Sequence, residues 1–448
     1  MPSRKTKTRS ERDSMGTVEV PAEALWGAST QRAIENFPIS GMGLPRRFLA
    51  ALGLLKAAAA RANEGAGKLD GARARAIASA AERVACGELD DQFPVDVFQT
   101  GSGTSTNMNA NEVIAELARR ALAAEGLDVH PNDHVNASQS SNDVMPSALH
   151  VAARCAIAQR LLPALARLER ALAAKAEVFA EVEKLARTHL MDAVPIRFGQ
   201  EFGGWRRQVE LAHGRAQRAA DGLAELAIGG TAVGTGLNCP PGFAAAVVAE
   251  INAATGLAFR EAADHVEAQS ARDAAVEASG QLRVVAVSLS KIASDLRLLG
   301  SGPRAGLGEL LLPALQPGSS IMPGKVNPVL CEVVNQVAAQ VVGNDAAIGV
   351  AGLQGQLELN TFIPLIARNL LESIELLANA TSVFSERCVE GLEVDRARAE
   401  GYVERSLGLA TRLVGRIGYD RAAEIAHEAQ RSGRTIGEVA REWGVEEG

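Results

Sequence analysis

The run Q-L-R-V-V-A-V-S-L-S-K-I-A-S-D-L-R-L-L, Gln281 to Leu299, places Leu282, Val285, Leu289, Ile292, Leu296 and Leu299 at steps of 3-4-3-4-3. That spacing keeps one apolar seam on one face of a helix, the pattern by which long helices pack against partners. Leu161, Leu165, Leu168 and Leu172 repeat it, and the pattern predicts a helix continuing toward Leu185. After Pro328, Val329, Val333, Val337 and Val341 follow at steps of four. Helices of this kind pack within a chain or between chains. The composition agrees: alanine is in large excess, against only eleven Phe, three Trp and two Tyr. Alanine favours helices, whereas strands favour aromatic and β-branched residues, so the fold class expected is all-α.

With 448 residues, 47% apolar and 22% charged, the chain exceeds one compact core and fits two or three domains. A net charge of −7 argues against nucleic acid as a partner. Charged residues break every alanine-rich stretch before it reaches the length of a membrane span. Cys86, Cys155, Cys239, Cys331 and Cys388 are odd in number and lack C-x-x-C pairing, which fits reduced thiols in the cytoplasm. The first twelve residues are basic with no apolar stretch after them, so a frayed tail is expected there rather than a signal peptide.

Between the helical stretches lie glycine-rich, amide-rich and hydroxyl-rich segments of low charge: Gln99–Asn111, His130–Asp143, Ile228–Gly242 and Gly300–Pro328. Small donors without bulk suit a carboxylate or phosphate ligand. The sharpest is G-S-S-I-M-P-G-K-V-N-P, Gly318 to Pro328, which opens onto a helix. Unsatisfied N–H groups and the dipole at a helix start favour an anion, and Lys325 and Asn327 add to that. A serine in such a loop serves as base or nucleophile, since the surroundings favour its oxyanion. The segment from Thr100 reads GxGxxN without a βαβ setting, which excludes a dinucleotide fingerprint. His130, Asp133 and His134 are metal ligands by residue type, but one short loop broken by proline fits an anion-holding or structural role better. His189, in R-T-H-L, is expected at the end of a long helix.

In their order along the chain, T-G-S-G-T-x-x-N-M-N, H-P-N-D-x-V-N-x-S-Q-S-S-N-D, R-T-H-L, G-G-T-A-V-G-T-G-L-N and G-S-S-I-M-P-G-K-V-N-P resemble the blocks of the fumarase/aspartase superfamily. Within it the chain is most similar to class II fumarase, from near Arg9 through Ile417. The resemblance implies an N-terminal helical domain over 1–138 including the basic leader, a central long-helix bundle over 139–392 and a small helical domain over 393–448. It also implies a homotetramer with shared active sites. The implied substrate is a small dicarboxylate, fumarate or (S)-malate, interconverted by anti-addition of water, with no metal and no organic cofactor.

By the same resemblance Ser319 is the base, and Glu332 pairs with His189 to move a proton through water. Lys325 belongs with them. Ser102, Gly103, Thr104, Ser140, Ser141, Asn142, Thr188, Ser320 and Asn327 are implied to bind the substrate. His130, Pro131, Asn132 and Asp133 match a second, non-catalytic dicarboxylate site. Gly324, Ser141 and the G-G-T-A-V-G block side with fumarase. V-V-N-Q-V after Glu332 and G-Q-L-E-L-N before Thr361 look like aspartase, which eliminates ammonia from L-aspartate. The substrate loops carry more weight than helices behind them, so fumarase is expected. A non-catalytic protein on the same scaffold would be expected to have lost Ser319, His189 or Lys325, and all three are present.

Overall fold

Helices carry most of the described chain, residues 7–445 of a computed structural model, and every strand described belongs to a two-stranded ladder. An antiparallel pair, β1 (Thr8–Asp13) and β2 (Gly16–Pro21), precedes α1 (Ala28–Asn36), α2 (Arg46–Gly65), α3 (Gly71–Cys86), α4 (Thr104–Ala121) and α5 (Ser141–Ala156). After α6 (Leu162–Val178), the hairpin of β3 (Glu183–Thr188) and β4 (Met191–Arg197) leads into α7 (Phe198–Gly222), α8 (Phe243–Thr255) and α9 (His265–Ser270). The long helices α10 (Asp273–Leu299), α11 (Val329–Gly352) and α12 (Ile363–Phe384) follow. Four short ones end the described chain: α13 (Arg396–Arg405), α14 (Ala410–Ile417), α15 (Tyr419–Ser432) and α16 (Ile436–Glu442).

The chain divides into two compact units. One takes in the described residues up to Leu162 together with Arg215–Val284 and Gln340–Leu377. Its core forms where α2 packs on α3, α5 and α8. Small side chains in G-L-L-K-A-A-A-A, Gly53 to Ala60, let the backbones approach. A Cβ at Gly53 would stand 2.6 Å from the Ala85 nitrogen and 2.7 Å from the Ala81 carbonyl oxygen, so glycine is required at that crossing. The other unit comprises Pro163–Gly214, Val285–Ala339 and the described residues from Ala378 onward. Phe179, Phe198, Phe202 and Trp205 stack edge-to-face and tilted in its core. Lys184 is buried over the Phe198 ring and pairs with Glu201 at 2.9 Å.

All six seam residues of α10 are at most 5% exposed, so the seam is filled within the chain rather than left for another. Two expectations fail. The helix through Leu161 stops at Val178, and Leu185 lies in β3, buried by the hairpin instead of by a helix face. Nor is Thr8–Arg12 a frayed tail. It pairs with β2, and the Arg9 guanidinium donates to the carbonyls of Pro21, Ala22, Ala24 and Trp26. One arginine thereby satisfies four carbonyls that would otherwise turn to solvent. Residues 1–6 of the leader lie outside the described residues.

Candidate active site

In the first unit, two helix N-termini carry the predicted hydroxyl and amide ligands. Ser102 and Gly103 lead into α4, whose first residue is Thr104, and the Ser102 and Thr104 hydroxyls lie 2.8 Å apart. Gly103 has φ +76°, and a Cβ there would meet Met145 Cε of α5 at 2.5 Å, which locks the loop against that helix. Gly101 is tighter still: a Cβ would fall 1.7 Å from the Thr361 carbonyl oxygen. Ser140 caps α5 and Ser141 is its first residue; Asn142 donates from Nδ2 to the Ala232 carbonyl at 2.8 Å. The Asn107 side chain of α4 donates to Ser141 Oγ at 3.1 Å, which ties the two N-termini together. The positive ends of the two helix dipoles, ringed by these hydroxyls, make this a place for an anion.

Behind it lie two buried charged groups to which the sequence reading gave no role. Asp143 is fully buried and accepts from Ser140 N–H, completing a capping box, and from Gly229 and Thr231 N–H at 3.0 Å each. Burial raises its carboxyl to about 6 despite those bonds. Lys56 of α2, the one charged residue in its apolar run, is equally buried, and burial lowers it to about 7. Its ammonium donates to Asn136 Oδ1 and Gln139 Oε1, both at 3.0 Å.

In the other unit, His189 is not at a helix end. It occupies the two-residue turn of the β3–β4 hairpin with Leu190, at φ 56° and 62°. Left-handed backbone at two successive non-glycine residues costs on the order of 1–3 kcal/mol each, and strain of this kind collects at functional positions. Thr188 precedes the turn, and both Thr188 and His189 are exposed. Arg187 anchors the strand beneath them: it pairs with the buried Glu309 at 2.7 Å and lies over the Tyr402 ring. Burial raises the Glu309 carboxyl while Arg187 opposes it.

The segment from Gly318 folds into a closed loop. Gly318 N–H donates to the Lys325 carbonyl at 2.7 Å, and Asn327 Nδ2 donates to the Gly318 carbonyl at 2.8 Å. A Cβ on Gly318 would stand 2.6 Å from the Lys325 oxygen, and Gly324 turns the loop at φ +80°. Ser319 Oγ accepts N–H bonds from Ile321 at 3.2 Å and Met322 at 3.0 Å. Two donors on one hydroxyl oxygen favour its alkoxide, the form a base requires. Ser320 and Lys325 are exposed on this loop. Glu332 sits in the first turn of α11 with Arg297 Nη2 at 3.9 Å. Among the described residues, no hydrogen bond or ion pair joins His189 to Ser319, Lys325 or Glu332.

His130–Asp133 forms a self-contained turn. His130 Nδ1 accepts the Asp133 N–H at 3.2 Å, and His134 Nδ1 accepts the His130 N–H at 2.8 Å. With the Nδ1 of each of the two rings engaged by backbone, the turn is a structured rim, and Asn132 and Asp133 are left exposed. Sequence reasoning missed Lys56, Asn107, Asp143 and the Arg187–Glu309 pair. Lys56 left a trace as a lone charge among apolar residues, and Asp143 as the acid three residues after Ser140.

Residues 16–343 match the family described as Lyase, and residues 409–447 match Fumarase C C-terminus. The chain is 56% identical over 441 residues to the class II fumarate hydratase of Corynebacterium glutamicum, covering 98% of this chain and 92% of that protein. With the class II fumarate hydratase of Mycobacterium tuberculosis it shares 56% over 429 residues, covering 96% and 90%. Its fold is similar to that of class II fumarase from Schistosoma mansoni, with TM-score 0.94 at 38% identity over 98% of this chain and 96% of that one. It is also similar to a fumarate lyase:delta crystallin from Brucella melitensis solved with cobalt, with TM-score 0.93 at 46% identity over the same shares.

Proposed function

The chain belongs to the lyase family of class II fumarate hydratases, and we propose that it adds water reversibly to fumarate, giving (S)-malate. The chemical difficulty is a proton on carbon beside a carboxylate. Its removal places further negative charge on a dianion, so catalysis needs a base and donors aimed at the developing aci-carboxylate. The observation that carries the reading is Ser319 Oγ held by the Ile321 and Met322 N–H groups in a loop that opens onto α11.

In the elimination direction Ser319 takes the carbon-bound proton. His189, oriented by Glu332, passes a proton through water to the departing hydroxyl, so that water leaves and the carbon–carbon double bond forms. Lys325, Asn327, Ser320 and Thr188 supply donors. Ser102, Thr104, Ser140, Ser141 and Asn142, with the backbone at Gly103, hold the carboxylates at the α4 and α5 N-termini. His130, Pro131, Asn132 and Asp133 form a separate dicarboxylate-holding turn. The test is loss of fumarate absorbance in ammonium-free buffer, where turnover is expected. Turnover only after ammonium is added would make the chain an aspartate ammonia-lyase.

We place the enzyme in a homotetramer whose active sites draw on several subunits. Supporting this, α10 and α11 leave Val287, Leu298, Val333, Val342 and Val350 exposed, apolar side chains that a partner subunit would cover. Free thiols at all five cysteines are consistent with a reducing cytoplasm. Among the described residues, no helix is long and apolar enough to cross a membrane.

The Gly101 contact gives a further expectation. Gly101→Ala must push the loop off the Thr361 carbonyl, and a displacement near 1 Å at a binding loop costs about 100-fold in rate. Steady-state kinetics should show kcat/KM for malate falling by about that factor, with a lowered Tm. An unchanged kcat/KM would mean that the loop does not hold substrate.

A further inference from the structure

A serine hydroxyl both donates and accepts, and a carboxylate only accepts, so Ser141 can hold a dicarboxylate only if its proton faces the ligand. Ser141 Oγ receives one amide proton of Asn107 Nδ2 at 3.1 Å. The Asn107 amide also donates to Asn136 Oδ1 at 3.2 Å, as does Asn111 Nδ2 at 3.2 Å. A side-chain amide is free to flip, which would present Asn107 Oδ1 to Ser141 and capture the serine proton. What forbids the flip is Lys56. Protonated it has donors only, and as the neutral amine it still carries two N–H, one for each of the Asn136 and Gln139 oxygens that face it. The rest of both amides is committed the same way: Asn136 Nδ2 to the Gln139 carbonyl, and Gln139 Nε2 to the carbonyls of Val135 and Ala137. With Asn136 Oδ1 fixed as an acceptor, Asn107 must turn its NH2 toward it, and the same NH2 meets Ser141.

Asn136 Oδ1 is thus the common acceptor of Lys56 and Asn107, and the orientation it imposes on Asn107 carries on to Ser141. The fixed polarity leaves the buried oxygens of Asn107 and Asn111 without a partner, the cost of keeping both NH2 groups on Asn136 Oδ1. We propose that Lys56 is a positioning residue that touches no ligand and makes Ser141 a donor to the substrate carboxylate. The inference rests on the reading of Ser141 as a dicarboxylate ligand given above.

The experiment is a double-mutant cycle on the full-length enzyme, with KM and kcat for malate as readouts. A hydroxyl donating to a charged carboxylate is worth about 10- to 100-fold in affinity. Ser141→Ala should raise KM by that factor. Lys56→Met should raise it comparably with kcat little changed, and the double variant should be no worse than either alone. Multiplying effects in the double variant, or an unchanged KM in Lys56→Met, would overturn the relay while leaving Ser141 as a ligand. An unchanged KM in Ser141→Ala would overturn the reading of Ser141 and take the relay with it. Where burying Met in place of the ammonium prevents folding, Lys56→Gln keeps a polar group at the site but can turn either its NH2 or its oxygen toward Asn136, so the fixed polarity is lost. Its raised KM must likewise vanish in the Ser141→Ala background, and any surviving increase counts against the relay.

Discussion

Replacing Ser319 by alanine is expected to lower kcat for fumarate hydration by about 10²- to 10⁴-fold, the range that a positioned base contributes, while KM stays within a few-fold. The variant isolates the hydroxyl because the loop does not depend on it for closure. Gly318 N–H still reaches the Lys325 carbonyl, and Asn327 still reaches the Gly318 carbonyl. What disappears is the oxygen on which the Ile321 and Met322 N–H groups converge. Both amides belong to exposed residues, so water can take them up and folding should be little affected. Stopped assays at saturating and limiting fumarate, with a melting curve to confirm folding, separate the terms. A kcat within threefold of the parent would rule out Ser319 as the base.

The long helices were legible because a 3-4 spacing has one physical meaning when it persists for five turns. The six seam residues from Leu282 to Leu299 are buried along α10 as the spacing requires, and α11 starts just past Pro328, where the proline fixes a helix entrance. Leu185 shows how the same logic overreaches. A buried leucine continues a helical pattern and fills a buried strand position equally well, and no periodicity separates one residue of each kind. The N-terminal pair was hidden for a different reason. A charged strand with no buried face reads as a tail until Arg9 is seen collecting four carbonyls from the following turn.

The site was legible where backbone chemistry dictates residue type. Gly103 and Gly318 stand where a Cβ has no room, and Ser140 with Asp143 writes a capping box into the sequence. His189 was mislocated because a two-residue hairpin turn normally announces itself with Asn-Gly, and His-Leu carries no such mark. The network behind Ser141 was invisible because its members, Lys56, Asn107 and Asn136, lie far apart in sequence and meet only through tertiary packing. A polar residue on an apolar helix face is the only warning such a network gives.

In the proposed mechanism His189 and Ser319 supply the two proton-moving groups, yet among the described residues of one chain no side-chain bond links them. If each active site takes these residues from different subunits, His189→Asn and Ser319→Ala enzymes, each nearly inactive alone, should restore one another in mixed tetramers. A site works when its His189 comes from a serine-variant chain and its Ser319 from a histidine-variant chain. With equal, random incorporation each condition is met half the time, so about a quarter of the sites recover in a closed symmetric tetramer. Against parents reduced by about 10²- to 10⁴-fold, that is a large return of activity. Co-expression of the two variants under different tags, tandem purification and a malate assay measure it. The two tags exclude homotetramers, which raises the recovered share slightly and leaves the comparison with the parents unaffected. Mixed tetramers no more active than either parent would place both residues in one site contributed by a single chain, and the turn at His189 would then have to reach the Ser319 loop of its own subunit.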